Sequence, residues 1–101
     1  MMNNLTINEF VEGFQNDDNA VIIDVRTPEE EAEGLIPNST NMNLMEQSFP
    51  ARVMDLDKSK NYYVYCRSGG RSATACQFME KHGLTTFNLL GGIQAWNSFN
   101  S

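Results

Sequence analysis

One cysteine, two arginines and two glycines share a stretch of eight residues, YCRSGGRS, at positions 65–72. The chain has only 7 basic residues against 13 acidic ones, yet Arg67 and Arg71 both lie close after Cys66. The thiolate is the reactive form of cysteine, and nearby amides, arginines or a helix N-terminus lower a thiol pKa. This combination predicts a reactive, thiolate-leaning nucleophile at Cys66. The alternative is an inert thiol buried at a strand end.

The glycine pair predicts how the chain turns after this cysteine. Gly69 and Gly70 allow a positive φ, so the loop can curl with its amide N–H groups pointing inward. Such a nest of amides binds an anion, and a helix that begins there adds its own partial positive charge. We therefore expect the backbone from Arg67 through Ser68 to Arg71 to surround the sulfur, with Ser72 in a supporting role.

No general base stands beside the cysteine. The only histidine, His82, lies about three helical turns beyond the loop, too far to activate a thiol as a protease histidine does. Reactions that need a thiolate and an anion site but no base are sulfur transfer and cysteine-dependent phosphoryl transfer. One histidine and two cysteines, Cys66 and Cys76, predict neither a zinc site nor a disulfide scaffold.

Strand-like and helix-like segments alternate along the chain, which is typical of an α/β fold with a mostly parallel sheet. The strand-like segments are AVIIDV, STNMNL, NYYVYC and TTFNLL. Capping boxes at Thr6 and Thr27 predict two helix starts, and Gly34 ends the second helix. Apolar residues at helical spacing predict further helices around Phe49, over residues 72–82 and within GGIQAWNSF. YCRSGGRS thus connects a buried strand to a helix, where open α/β sheets bind ligands.

Length and composition exclude several classes of function. The 101 residues, 41% hydrophobic and 20% charged, predict a single soluble domain over positions 1–101. A net charge of −6 argues against a nucleic-acid partner, and the absence of a long apolar run argues against a membrane partner. The N-terminal segment lacks the pattern of a secretory signal, which together with the low cysteine content favours a cytoplasmic location.

Three segments together resemble the rhodanese-like family of single-domain sulfurtransferases. They are IIDVRTPEEEAEGLIPNSTNM, YCRSGGRS and LLGGIQAW, in the order and spacing of that family. The resemblance implies a small α/β fold with a central, mostly parallel sheet of about five strands and helices on both faces. It also places Cys66 at the end of the central strand. One departure is GLIPNS at positions 34–39, where Leu35 replaces a usual histidine and Asn38-Ser39 replace Gly-Ala.

The resemblance implies double-displacement sulfur transfer. Cys66 would attack the outer sulfur of a small anionic donor such as thiosulfate, sulfite would leave, and a cysteine persulfide would remain. A thiol, either a small molecule or a protein, or cyanide would then accept the sulfur. Arg71, and with it Arg67, would stabilise the anionic donor and the leaving group. Neither a cofactor nor a metal is implied.

Two other functions stay open. Phosphatases and arsenate reductases of the same fold carry Cys-x5-Arg, whereas Cys66 to Arg71 is Cys-x4-Arg. The shorter loop should tighten the nest around a single sulfur atom, which favours sulfur transfer. The second alternative is a non-catalytic module that carries sulfur or regulates a partner.

Two charged residues upstream are interpreted as an architectural pair. Asp24 at its strand end can hold the loop through hydrogen bonds, and Arg26 serves as scaffold or as pocket wall. Cys76 lies on the predicted core face of its helix, so we interpret it as a small buried hydrophobe rather than a resolving thiol.

Overall fold

Five parallel strands form one sheet in the computed structural model, which describes residues 3–101. The strands are β1 (Asn3–Leu5), β2 (Ala20–Asp24), β3 (Thr40–Asn41), β4 (Asn61–Tyr65) and β5 (Thr85–Leu89). Their order across the sheet is β1-β5-β4-β2-β3, and each neighbouring pair is parallel. The predicted parallel sheet is confirmed, with β4 at its centre. The carboxyl ends of the strands therefore lie at one edge.

Helical segments connect these strands. They are α1 (Ile7–Gln15), a 3₁₀-helix (Pro28–Glu33), α2 (Phe49–Met54), α3 (Gly70–Lys81) and α4 (Gly92–Phe99). Both predicted capping boxes are present, formed by Thr6 with Glu9 and by Thr27 with Glu30. The segment after Thr27 is a 3₁₀-helix with no buried residue, since its acidic sequence offers nothing to pack against the sheet.

Helices cover both faces of the sheet, as the resemblance implied. Side chains of β4 alternate, so that Tyr62 and Val64, followed by Cys66, face the layer of α2 and α3. Tyr63 and Tyr65 face the opposite layer, which contains Phe10 of α1 and Ile93 of α4. This alternation directs the Cys66 side chain toward the helix that follows its own loop.

Cys76 is buried in the same layer as Cys66, within the core cluster formed with Ala75 and Met79. Its interpretation as a core residue is confirmed. No helix in residues 3–101 combines the length and the apolar character that a membrane span requires.

The departure at GLIPNS has a structural explanation. Asn38 adopts φ 70°, a left-handed conformation that glycine favours and asparagine tolerates. The Ser39 hydroxyl lies 2.9 Å from the hydroxyl of Tyr65, which also accepts a hydrogen bond from the Ile36 amide at 3.1 Å. These contacts fasten the turn to the end of β4, while the side chain of Leu35 is exposed.

Candidate active site: a cysteine in a nest of amides

Cys66 lies directly after β4, and its side chain is buried at the foot of the following loop. The backbone amide of Gly69 donates to Sγ at 3.1 Å, and the hydroxyl of Ser72 lies 3.3 Å from the same sulfur. The structure thus brings Gly69 and Ser72 to the sulfur of Cys66. A sulfur atom with two such donors is prepared to carry negative charge.

Opposing effects act on the ionisation of this sulfur. Burial raises the pKa of the Cys66 thiol, because desolvation disfavours the charged form. Hydrogen bonds from the side chain and amide of Ser72 and from the amides of Gly69 and Ser68 outweigh burial, so the pKa is lowered overall. His82 packs against Phe78 near the far end of α3 and takes no part.

Gly69 alone provides the turn that the sequence assigned to both glycines. It adopts φ 111°, and an added Cβ would meet the Leu89 carbonyl oxygen at 3.3 Å. Gly70 is already the first residue of α3, and an added Cβ would have no atom within 4 Å. Because one left-handed residue completes the turn, α3 starts two residues before the predicted position at Ser72.

The first turn of α4 closes the outside of the loop. The amide of Ile93 donates to the carbonyl oxygen of Cys66 at 2.9 Å, and that of Gln94 reaches the Arg67 carbonyl at 3.5 Å. Gly92, with φ 55°, lies so close that an added Cβ would overlap both carbonyl oxygens. The LLGGIQAW segment is therefore part of the site, although it follows Cys66 by more than twenty residues.

Arg71 is held by a carboxylate. Its Nη1 and Nη2 donate to Oε1 and Oε2 of Glu30 at 2.7 and 2.8 Å, in a bidentate pair. The pair, reinforced by hydrogen bonds from Thr27, lowers the pKa of Glu30 to about 2. The capping box predicted at Thr27 accounts for one role of Glu30 and did not indicate this second one. Only its position after Thr27 could have indicated a fixed side chain.

Arg67 differs from Arg71 because its side chain is exposed. Within residues 3–101, no carboxylate forms an ion pair with its guanidinium. Of the two arginines that follow Cys66, Arg67 is therefore the one whose charge is available to a ligand.

Asp24 and Arg26 form a buried pair, with Nη2 and Oδ2 2.7 Å apart and both side chains 0% exposed. Arg26 also donates to the carbonyl oxygens of Gly34 at 2.8 Å and Glu30 at 3.1 Å. Arg26 is thus scaffold rather than pocket wall. The hydrogen bonds to the Asp24 carboxylate come from Arg26, not from the loop after Cys66.

Asn88 of β5 is a buried member of the site that the sequence interpretation missed. Its Oδ1 lies at very short distance from the Ser72 hydroxyl, and its Nδ2 donates to the Gly69 carbonyl at 3.3 Å. An asparagine between the apolar residues of the strand segment TFNLL was the available signal. In the described part of the chain, no three acidic, histidine or cysteine side chains form a group that could hold a metal ion.

Comparison with known proteins identifies the family of this chain. The chain belongs to the rhodanese-like domain family, whose model matches residues 6–99. A Bacillus subtilis (strain 168) protein named "Putative sulfurtransferase YtwF" is 39% identical over 84% of this chain and 81% of its own. A protein of Allochromatium vinosum named "Sulfurtransferase" is 33% identical over 95% of this chain and 89% of its own.

A solved structure has the same architecture. The crystal structure of a rhodanese-like domain protein from Staphylococcus aureus is 33% identical and aligns with a TM-score of 0.82. The alignment covers 94% of this chain and 91% of the other. Fold and sequence thus agree on a rhodanese-like domain, and the names of the two relatives support a sulfurtransferase.

The two loop glycines give a matched pair of substitutions. Gly69→Ala should lower the free energy of unfolding by about 1–3 kcal/mol, because it forces a left-handed alanine against a carbonyl. Gly70→Ala should change it by less than about 1 kcal/mol, since alanine fits a helical position facing open space. Urea unfolding of both variants measures the difference. Equal losses would contradict the assignment of the turn to Gly69.

The pair between Glu30 and Arg71 predicts a pH-dependent contribution to stability. Because the pKa of Glu30 falls from 4.5 to about 2 on folding, the pair stabilises the fold fully above pH 4.5. This contribution is lost as pH falls toward 2. Glu30→Gln should lower the free energy of unfolding by roughly 1–2 kcal/mol at pH 7 and hardly at all near pH 2.

Unfolding free energies measured across that pH range test this prediction. Glu29→Gln is the control, because it removes a neighbouring, exposed carboxylate and the same charge. A Glu30→Gln effect that did not vary with pH, or that Glu29→Gln reproduced, would contradict the ion-pair explanation.

Proposed function

We propose that this protein transfers a sulfane sulfur from a donor such as thiosulfate to a thiol or cyanide acceptor through a persulfide on Cys66. The observation that carries the proposal is the buried Cys66 sulfur within 3.1 Å of the Gly69 amide and 3.3 Å of the Ser72 hydroxyl. These donors favour a thiolate without a general base. Sulfur transfer from thiosulfate requires such a thiolate but no proton transfer in the bond-breaking step.

In the first half-reaction, the Cys66 thiolate attacks the outer sulfur of thiosulfate. A bond forms between Sγ and that sulfur, the bond between the two donor sulfurs breaks, and sulfite leaves with the electron pair. The negative charge then lies on the terminal persulfide sulfur. The backbone amides of Ser68 and Gly69 would stabilise this negative charge, because they already face the sulfur of Cys66.

In the second half-reaction, an acceptor thiolate or cyanide attacks the terminal sulfur. The new bond forms to the acceptor, and Cys66 leaves as a thiolate with the electron pair of the broken S–S bond. The product is an acceptor persulfide or thiocyanate, and the enzyme returns to its starting state. No cofactor is needed for either half.

Arg67 is the better candidate for contacting an anionic donor. Arg71 already gives two N–H groups to Glu30 at 2.7 and 2.8 Å, so we assign it to positioning the loop.

Both cysteines are free thiols. We propose a reducing compartment, the cytoplasm, as the place where the protein acts, with small-molecule or protein thiols as acceptors.

A persulfide on Cys66 can be detected by mass. Incubation with thiosulfate should add the mass of one sulfur atom to the native protein and to Cys76→Ser, but not to Cys66→Ser. Cyanide or a thiol should then remove it. Intact-protein mass spectrometry, with peptide mapping of the modified residue, measures both steps.

The outcomes separate the candidate functions. An adduct that forms but does not turn over with any acceptor would favour a sulfur-carrying module. Absence of an adduct with every sulfane donor would favour a regulatory binding module. Efficient hydrolysis of an aryl phosphate, abolished by Cys66→Ser, would favour the phosphatase alternative.

Arg67 should affect donor binding more than turnover. Arg67→Gln should raise KM for thiosulfate about tenfold, the equivalent of one charged hydrogen bond, with a smaller change in kcat. The effect should shrink at high salt because the arginine is exposed. Lys58→Gln removes the same charge from a side chain that packs near Gly83, away from the loop. An equal effect of both substitutions would point to overall charge instead.

A further inference from the structure

The hydroxyl group of Ser72 faces three acceptors but has one proton to donate. Its Oγ lies 3.3 Å from the Cys66 sulfur, 3.2 Å from the Gly69 carbonyl oxygen and nearest of all to Oδ1 of Asn88. Ser72 is fully buried and Asn88 is almost so, which leaves little room for water to supply missing donors. Only one of the three acceptors can receive the proton at a time.

The orientation of the Asn88 amide is fixed by its other contacts. Its Nδ2 donates to the carbonyl oxygen of Gly69 at 3.3 Å and to Oδ1 of Asn4 at 3.0 Å. A flipped amide would turn Oδ1 toward the Gly69 carbonyl, placing two acceptors together without a proton between them. Oδ1 must therefore face Ser72, where it can accept a hydrogen bond but cannot donate one.

The preferred position of the proton thus depends on the state of the sulfur. When Cys66 is a thiol, its S–H can donate to Ser72 while Ser72 donates to Asn88, so every group is satisfied. When Cys66 is a thiolate, the Ser72 proton must turn toward the sulfur. Oδ1 of Asn88 then faces Oγ of Ser72 with no proton between the two oxygens. The thiolate gains one hydrogen bond only by breaking another.

We propose that Asn88 is a positioning residue that competes with the Cys66 sulfur for the single hydroxyl proton of Ser72. The competition stabilises the thiol relative to the thiolate and limits how far the loop amides can favour ionisation. The hydrogen bonds of Asn88 go to Ser72, Gly69 and Asn4 and not to the sulfur, so the proposed competition acts through Ser72.

The other charged and titratable groups around the sulfur do not share this proton. Arg67 lies in the loop and Arg71 in α3. The carboxylate of Glu30 is bound to Arg71, and the carboxylate of Asp24 is bound to Arg26. Cys76 of α3 has a pKa raised to about 12 by burial and stays neutral. A change at Asn88 therefore leaves these charges in place.

For the reaction cycle, the inference rests on the proposed function. Once Sγ carries a second sulfur, the negative charge moves to the terminal atom and Sγ becomes a weak acceptor. The Ser72 proton then returns to Asn88. The hydroxyl proton would alternate between two partners in each cycle, while the heavy atoms of the loop stay in place.

The rate of Cys66 alkylation by iodoacetamide as a function of pH tests the competition without any sulfur donor. Asn88→Leu removes the competing acceptor and should lower the midpoint of the rate–pH curve by about half a pH unit to one pH unit. A merely structural role gives the opposite sign, because loss of the Gly69 contact would loosen the amide nest and move the midpoint up. Peptide mapping separates Cys66 from Cys76.

The same substitution made in a Ser72→Ala variant shows whether the effect of Asn88 requires the Ser72 hydroxyl. In Ser72→Ala there is no proton to compete for, so adding Asn88→Leu should no longer lower the midpoint. Asn4→Ala, which leaves Asn88 bonded to Gly69, is the matched control and should leave the midpoint unchanged. An upward or absent shift for Asn88→Leu, or the same downward shift in both backgrounds, would overturn the proposal.

A measurement on the native protein covers the case in which Asn88→Leu does not fold. The side-chain carbonyl carbon of Asn88 should change its NMR shift with the same midpoint as Cys66, and Ser72→Ala should abolish the change. Asn100, on the surface after α4, provides the reference signal. A flat Asn88 signal in the native protein would overturn the proposal. Loss of persulfide formation with these signals intact would instead contradict the proposed function alone.

Discussion

A loop that points its amides at a sulfur atom must point its carbonyl groups outward, and buried carbonyls need donors. The site depends on this constraint. The first turn of α4 supplies these donors. The amides of Ile93 and Gln94 have no partner within the helix, and they donate to the carbonyl oxygens of Cys66 and Arg67. The close approach is possible only because residue 92 is glycine. Two helices therefore converge on one turn, with α3 supporting its inner side and α4 its outer side.

The electrostatics of the site follow from the same turn. Two arginines after a cysteine suggest a strongly positive site in an acidic chain, but Glu30 neutralises the charge of Arg71. The same ion pair connects the 3₁₀-helix to the first turn of α3. The Ser72 hydroxyl and the backbone amides of Ser72, Gly69 and Ser68 then stabilise negative charge at the sulfur, and Arg67 adds an exposed, salt-sensitive charge. The backbone amides are fixed by the turn, so they need little reorganisation when charge appears, and the Ser72 hydroxyl is the group that must turn.

Much of this arrangement could be predicted from the sequence, because local patterns determine it. The capping boxes, the buried β-branched strand and the turn at Cys66 each rest on neighbouring residues. Contacts between distant segments could not be predicted in the same way. The edge strand β1 is only Asn3–Leu5, too short and polar to show a strand pattern, and it forms by pairing with β5. The partner of Arg71 lies 41 positions away, and Asn88 meets Ser72 only because β5 lies beside β4.

The sheet topology explains why these distant partners converge. β4 is central, so the carboxyl ends of β2 and β5 lie on either side of Cys66. The chain after β2 supplies Glu30, and β5 with α4 supplies Asn88 and the amides over the loop carbonyls. Each neighbouring strand thus contributes one kind of support: a carboxylate on one side, and hydrogen-bond partners on the other. A nucleophile at the end of an edge strand would have a neighbour on one side only, and half of these contacts would be lost.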